Sequence, residues 1–124
     1  MTPKTVLVVE DDPDHRDIVV TLLRHHGYGV LEAEDGAGAV DVALARRPDM
    51  VLMDAHLPVL DGWSATRRLK GDPGVAGIPV VILSAAALEA DRDRGDRAGC
   101  DGYLTKPCDP NDVLAEVRQR IGPP

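Results

Sequence analysis

The sequence predicts an α/β fold in which a parallel five-stranded sheet carries helices on both faces. Three observations lead there. Five short β-forming runs alternate strictly with five segments of helical periodicity. The connections are short, so each crossover should be right-handed and return the chain to the same sheet. The runs VLVV, MVLM and VVIL are continuously apolar, as strands covered on both sides must be, so the first, third and fourth strands should be central.

The first strand is read over residues 5–10 (TVLVVE). Asp12 can then cap a helix with Pro13 at its first position, where the missing N–H costs nothing. Ile18, Val19, Leu22 and Leu23 fall on one face of that helix, and His25, His26 and Gly27 end it. The second strand covers 28–33 (YGVLEA). Asp35 and Gly36 open a second helix with Ala39, Val40, Ala43 and Leu44 on one face, and Arg46, Arg47 and Pro48 close it. The third strand is 50–54 (MVLMD), followed by a helix over 62–70. The fourth strand is 80–84 (VVILS). The helix after it, around Leu88 to Ala98, is highly charged and interrupted by Gly95, so its intrinsic hold is weak. The fifth strand, 102–105 (GYLT), leads to a helix from Pro110 or Asn111 that buries Val113, Leu114, Val117 and Ile121.

A chain of 124 residues with 44% apolar content fits one domain over 1–124. Phe is absent and aromatics amount to 2%, so Val, Leu, Ile, Ala and Met must fill the core. A net charge of −7 argues against binding to nucleic acid through phosphate contacts. The N-terminal apolar run is too short for a secretory signal and no stretch reaches membrane-span length, so the expected location is the cytoplasm. Cys100 and Cys108 have no cysteine or histidine partners at zinc-site spacing and are read as free thiols.

In open parallel sheets, ligands bind beyond the carboxyl ends of the strands. Glu10 and Asp11 follow strand one, Asp54 ends strand three, Ser84 ends strand four, and Lys106 follows strand five. The acids thus meet solvent where the chain leaves the core, but they are crowded. Two like charges about 4 Å apart repel by about 1 kcal/mol in bulk water and about 4 kcal/mol at a protein-surface dielectric. Lys106 offers one compensating charge and a divalent ion two. With few ligands, all oxygens, the expected ion is Mg²⁺, or Mn²⁺ in its place, retaining several waters. A carboxylate beside such an ion and a lysine can attack phosphorus and form an acyl phosphate.

The segments VLVVEDD, VLMDAHLPVLDGW, VVILSA and GYLTKP, in that order and at strand ends, resemble those of bacterial two-component response-regulator receiver domains over almost the whole chain. The resemblance implies a flavodoxin-like (βα)5 three-layer sandwich with strand order 2-1-3-4-5. It implies Asp54 as phospho-acceptor, Asp11 as direct Mg²⁺ ligand, Glu10 as a ligand through water, and the His56 backbone carbonyl as a further ligand. It makes Lys106 the phosphoryl-binding lysine, with a cis Lys106–Pro107 peptide, and Ser84 and Tyr103 the pair that rearranges on activation. His56 and Ala86 fall at positions flanking the phosphoryl group. The expected partners are a sensor histidine kinase or histidine phosphotransfer protein, and a downstream protein that reads the helix 4, strand 5, helix 5 face. On this reading the protein is a switch rather than an enzyme, catalysing only its own phosphorylation and dephosphorylation. With the chain ending at Ile121-Gly-Pro-Pro, its output would be protein contact without a DNA-binding domain. Trp63 is read as packing, and His15, His25 and His26 as helix-surface residues.

Two other classes fit less well. A haloacid-dehalogenase-type phosphatase would use Asp12-Pro13-Asp14 as its D-x-D nucleophile motif, but Pro13 favours a helix start there. A flavin carrier of the same fold would need a hydroxyl- and glycine-rich loop after strand one, where this chain is acidic. A receiver-like domain that is never phosphorylated would not need the full acid, serine and lysine set.

Overall fold

The computed structural model describes residues 3–85 and 89–124. The elements run β1 (Thr5–Val9), α1 (Pro13–His25), β2 (Gly29–Ala33), α2 (Gly36–Arg46), β3 (Met50–Asp54), α3 (Gly62–Lys70), β4 (Val80–Ser84), α4 (Glu89–Ala98), β5 (Gly102–Thr105) and α5 (Pro110–Ile121). The sheet is parallel with order β2-β1-β3-β4-β5, so the three continuously apolar strands occupy its middle. Boundaries agree with the sequence reading to within a residue or two. Glu10 and Tyr28 fall just outside their strands. Tyr28 is buried, and its hydroxyl donates to the Gly122 carbonyl at 2.6 Å, tying the end of α5 to the start of β2. Leu88 and Ala86 lie outside the described residues.

Side-chain alternation along the strands builds two cores. Leu7, Val9, Val51, Met53, Val80 and Ile82 face α2, α3 and α4. Val6, Val8, Met50, Leu52, Val81 and Leu83 face α1 and α5. Leu7, Leu23, Met50, Met53, Leu69 and Ile82 are fully buried, each contributing about 1.5–3 kcal/mol of hydrophobic stabilisation before entropy is subtracted. Four helices begin with an aspartate cap. Asp12 accepts from the Asp14 N–H, Asp35 from Gly38, Asp61 from Ser64 and Asp109 from Asn111, at 2.6–2.9 Å. Each cap is worth about 1 kcal/mol.

The loop between β3 and α3 is held from both sides by close backbone approach. A Cβ on Gly36, at the start of α2, would lie 1.9 Å from the Leu60 carbonyl oxygen, and one on Gly62 would lie 2.1 Å from that of Asp54. Within this loop Val59 has φ 67° and is 84% exposed. A β-branched residue in the left-handed region costs about 1–2 kcal/mol, and burial does not offset it here.

Candidate functional site

The parallel register brings the ends of β1, β3, β4 and β5 to one edge, with Val9 beside Met53, Asp54 beside Leu83, and Ser84 beside Thr105. Asp54, the last residue of β3, is only 7% exposed, and Glu10, one residue past β1, is 9% exposed. The Glu10 backbone is fixed at both ends: its N–H donates to the Ala33 carbonyl at 3.1 Å, and its carbonyl accepts from the Arg16 guanidinium at 2.8 Å. Arg16 also pairs with Glu32 at 3.2 Å, so it braces the acidic strand end against β2. Sequence reading missed this brace; the single clue was a basic residue one turn after the cap.

Lys106 is delivered by its own backbone N–H, which donates to the Ser84 carbonyl at 2.7 Å, and the Lys106–Pro107 peptide is cis. Its ammonium donates to Glu10 Oε2 at 2.7 Å and to Asp54 Oδ2 at 3.2 Å. The other Asp54 oxygen, Oδ1, accepts from the His56 N–H at 3.1 Å. The Asp54 carboxylate is therefore oriented through both oxygens. Carboxylate oxygens of Glu10, Asp11 and Asp54 all lie within 4.8 Å of one another. Three hard anionic donors that close, with Asp11 exposed to solvent, fit a small oxygen-seeking divalent ion that keeps part of its water shell.

Beside these groups opens a cavity of ≈ 540 Å³ between α1 and the β5–α5 segment, walled by Val8, Ile18, Val19, Leu52, Leu83 and Pro107. Its apolar wall removes water from one side of Glu10 and Asp54. Burial pushes the Glu10 carboxyl above its ordinary value; the bond from Lys106 opposes the shift and the Asp54 charge adds to it. For the Lys106 ammonium burial acts downward, but the bond to Glu10 and the Asp54 and Glu10 charges outweigh it and raise its pKa. Both partners thus move upward, because at Glu10 desolvation exceeds what one lysine shared between two acids returns.

A pH dependence follows. Folding raises the Glu10 pKa above its unfolded value of 4.5, so the folded chain holds a proton that the unfolded chain has released. That contribution to stability is complete below the unfolded value and disappears as pH rises through the folded one. Metal-free melting temperatures should therefore fall from about pH 4.5 upward more steeply for wild type than for Glu10→Gln. Parallel curves would refute the assignment.

The other predicted residues divide between the two faces. Ser84 is fully buried at the end of β4 and by alternation shares the α2–α3–α4 side with Tyr103, which packs against that core. Glu10 and Asp54 line the cavity on the α1–α5 side. The site thus draws on both sides of the sheet edge. Asp12 and Asp14 stand apart. Asp12 spends its carboxylate on capping α1, and among the described residues the metal-competent cluster contains neither. The D-x-D phosphatase reading loses its nucleophile site on that ground. Cys100 and Cys108 are free, and burial raises both thiols above their ordinary pKa. His56 is exposed, and its ring stands perpendicular to that of Trp63 with centroids 5.1 Å apart. Trp63 is buried, as a packing residue should be, and it also carries the Arg94 guanidinium 3.9 Å above its ring. No helix among the described residues is long and apolar enough to cross a membrane.

Comparison with known proteins agrees with this geometry. The profile of the response regulator receiver domain matches residues 6–118. Protein PilH of Pseudomonas aeruginosa is 39% identical over 112 residues, covering 90% of this chain and 93% of PilH. The polar-differentiation response regulator DivK of Brucella anthropi is 32% identical, covering 97% and 98% of the two chains. Other curated relatives are longer: the chain spans 47% of the transcriptional regulator RpaA of Synechocystis. The crystal structure of the receiver domain of sensor histidine kinase PA1611 from Pseudomonas aeruginosa, which has a magnesium ion in its active-site cleft, superposes with a TM-score of 0.90 at 37% identity, covering 98% and 99%. With its flavodoxin-like strand order and an acid cluster and lysine at the sheet edge, this chain belongs to the response regulator receiver domain family.

Proposed function

We propose that the chain acts as one receiver unit in which Asp54 accepts a phosphoryl group from a phosphohistidine on a sensor histidine kinase or histidine phosphotransfer protein. The observation that supports this most directly is the Asp54 carboxylate, held by Lys106 and the His56 N–H with two further carboxylates within 4.8 Å. An Asp54 oxygen attacks phosphorus, the P–N bond to the donor imidazole breaks, and its electron pair returns to the ring nitrogen, leaving a mixed anhydride on Asp54. Lys106 balances charge on the transferring group, and fixing the nucleophile between two donors supplies orientation.

Asp11, Glu10, Asp54 and the His56 carbonyl would hold Mg²⁺, by analogy with the ion in the PA1611 receiver domain. When bound, that ion neutralises the acids and the oxygens of the incoming group. Once phosphorylated, Asp54 draws the Ser84 hydroxyl and Lys106 toward the phosphoryl oxygens, Tyr103 turns inward, and the α4–β5–α5 surface changes its affinity for a downstream protein. The segment α4, EADRDRGDRA, suits this role. It offers little apolar surface to hold it and carries a glycine in its interior. The domain then catalyses only its own phosphorylation and dephosphorylation.

Incubation with acetyl phosphate and Mg²⁺, followed by borohydride reduction and peptide mapping, tests the reading. The expected result is Mg²⁺-dependent modification at residue 54 alone. Modification of a histidine or serine instead, or none with either acetyl phosphate or a phosphohistidine donor, would overturn it.

A further inference from the structure

Part of the contact between α3 and α4 runs through an aromatic ring. Trp63, the sole tryptophan, sits in the first turn of α3, one residue after the glycine that presses on the Asp54 backbone. His56 stands edge-to-face with its ring on one side, and Arg94 of α4 lies 3.9 Å from the ring centroid. The loop between His56 and Trp63 is closed at its base, where the Gly62 N–H donates to the Ala55 carbonyl at 2.9 Å. Among the described residues the buried indole N–H has no hydrogen-bond partner, so core packing and ring contacts rather than hydrogen bonding hold the ring. The indole thus bridges the His56 ring and Arg94 of α4, and the His56 N–H donates to Asp54 Oδ1.

We propose that Trp63 and Arg94 are positioning residues for the metal site, a clasp that couples α4 to the His56 backbone. This rests on the reading of the His56 carbonyl as a Mg²⁺ ligand. It concerns a route separate from the Ser84–Tyr103 pair, which approaches from β4 and β5. The clasp fixes the β3–α3 turn with its carbonyl placed before the ion arrives, so less ordering is left for binding to supply. Coupling between two sites is reciprocal: if Arg94 favours Mg²⁺ binding, Mg²⁺ must favour the stacked position of α4 by the same factor. The effect belongs to the metal-bound, unphosphorylated chain, so it can be measured without any phosphoryl donor.

The test compares wild type, Arg94→Ala and Arg94→Lys in full-length protein. The readouts are Mg²⁺ affinity by calorimetry, amide exchange in residues 89–98 with and without saturating Mg²⁺, and emission of the single tryptophan. In wild type Mg²⁺ should slow exchange in α4. Arg94→Ala should weaken Mg²⁺ binding about threefold to tenfold, the range one cation–π contact can transmit. It should also abolish the Mg²⁺-dependent protection and shift Trp63 emission to the red as the ring loses its cover. Arg94→Lys, which keeps the cation, should restore most of each. Metal-free melting and far-UV circular dichroism check that the exposed substitution leaves the fold intact. Wild-type α4 exchange that ignores Mg²⁺, or Arg94→Ala with unchanged affinity, would overturn the clasp while leaving the metal site standing. A wild type that binds no Mg²⁺ would remove the metal reading itself, and this one with it.

Discussion

Asp54→Asn is expected to abolish phosphoryl uptake and, in metal-free buffer, to raise the melting temperature. The first effect is chemical, since a neutral side-chain amide is a far weaker nucleophile toward phosphorus than a carboxylate and cannot give the same mixed anhydride. The second is electrostatic. Glu10, Asp11 and Asp54 place three carboxylates within 4.8 Å of one another against one lysine. Asparagine keeps the shape and can still accept from the His56 N–H, but it removes one member of the repelling set. What it loses is the longer of the two Lys106 bonds, 3.2 Å against 2.7 Å to Glu10, so the lysine retains its stronger partner. The relief should exceed the loss by on the order of 1 kcal/mol, or a few degrees in Tm. Mg²⁺ should reverse the ranking, because wild type offers the ion three charges and the variant two. A variant still modified by acetyl phosphate, or one less stable than wild type without metal, would contradict the arrangement proposed for Asp54.

The sequence disclosed more of the site than of what supports it, for a physical reason. Alternation of continuous apolar runs with helical stripes fixes the parallel sheet, and a parallel sheet brings the strand ends to one edge. Glu10, Asp11, Asp54 and Lys106 could therefore be grouped without any coordinates. The position of Ser84 at the end of β4 was legible in the same way. The face on which it stands required the register. Arg16, Trp63 and Arg94 act through distances set by helix packing, and no local pattern encodes those. Arg94 looks like one more charge on a polar helix until α4 is laid against α3. The cavity beside Glu10 was invisible for a related reason, since it reflects the combined sizes of Val8, Val19 and Leu83 on three separate elements. Gly62 was read only as the start of the third helix, and the structure gives it a stricter role.

Gly62→Ala is the second large effect expected. Gly62 is the first residue of α3, where alanine is ordinarily welcome, and its backbone is not in the left-handed region, so conformational freedom is not what the position requires. Space is. An added Cβ would lie 2.1 Å from the Asp54 carbonyl oxygen and 2.9 Å from the Ala55 Cα, both backbone atoms. Neither can swing aside as a side chain would. Asp54 is paired in the middle of the sheet, the Ala55 N–H donates to the Leu83 carbonyl at 2.8 Å, and the Gly62 N–H is bound to the Ala55 carbonyl. Either α3 must lift or the end of β3 must move, and both carry Asp54 with them. The expected cost is about 3 kcal/mol or more, a fall in Tm on the order of 10 °C, with phosphorylation by acetyl phosphate reduced further than stability alone explains. Gly77→Ala is the control, because a Cβ there meets nothing within 4 Å, and it should be neutral or slightly stabilising. Gly36→Ala discriminates between strain and misplacement. Its Cβ would strike the Leu60 carbonyl at 1.9 Å, at least as close a clash, but in the loop rather than at the strand end. It should destabilise while sparing the phosphorylation rate of the molecules that remain folded. Equal loss of phosphorylation in the two variants at matched stability would show that the loop as a whole, and not the pressure of α3 on Asp54, sets the geometry of that carboxylate.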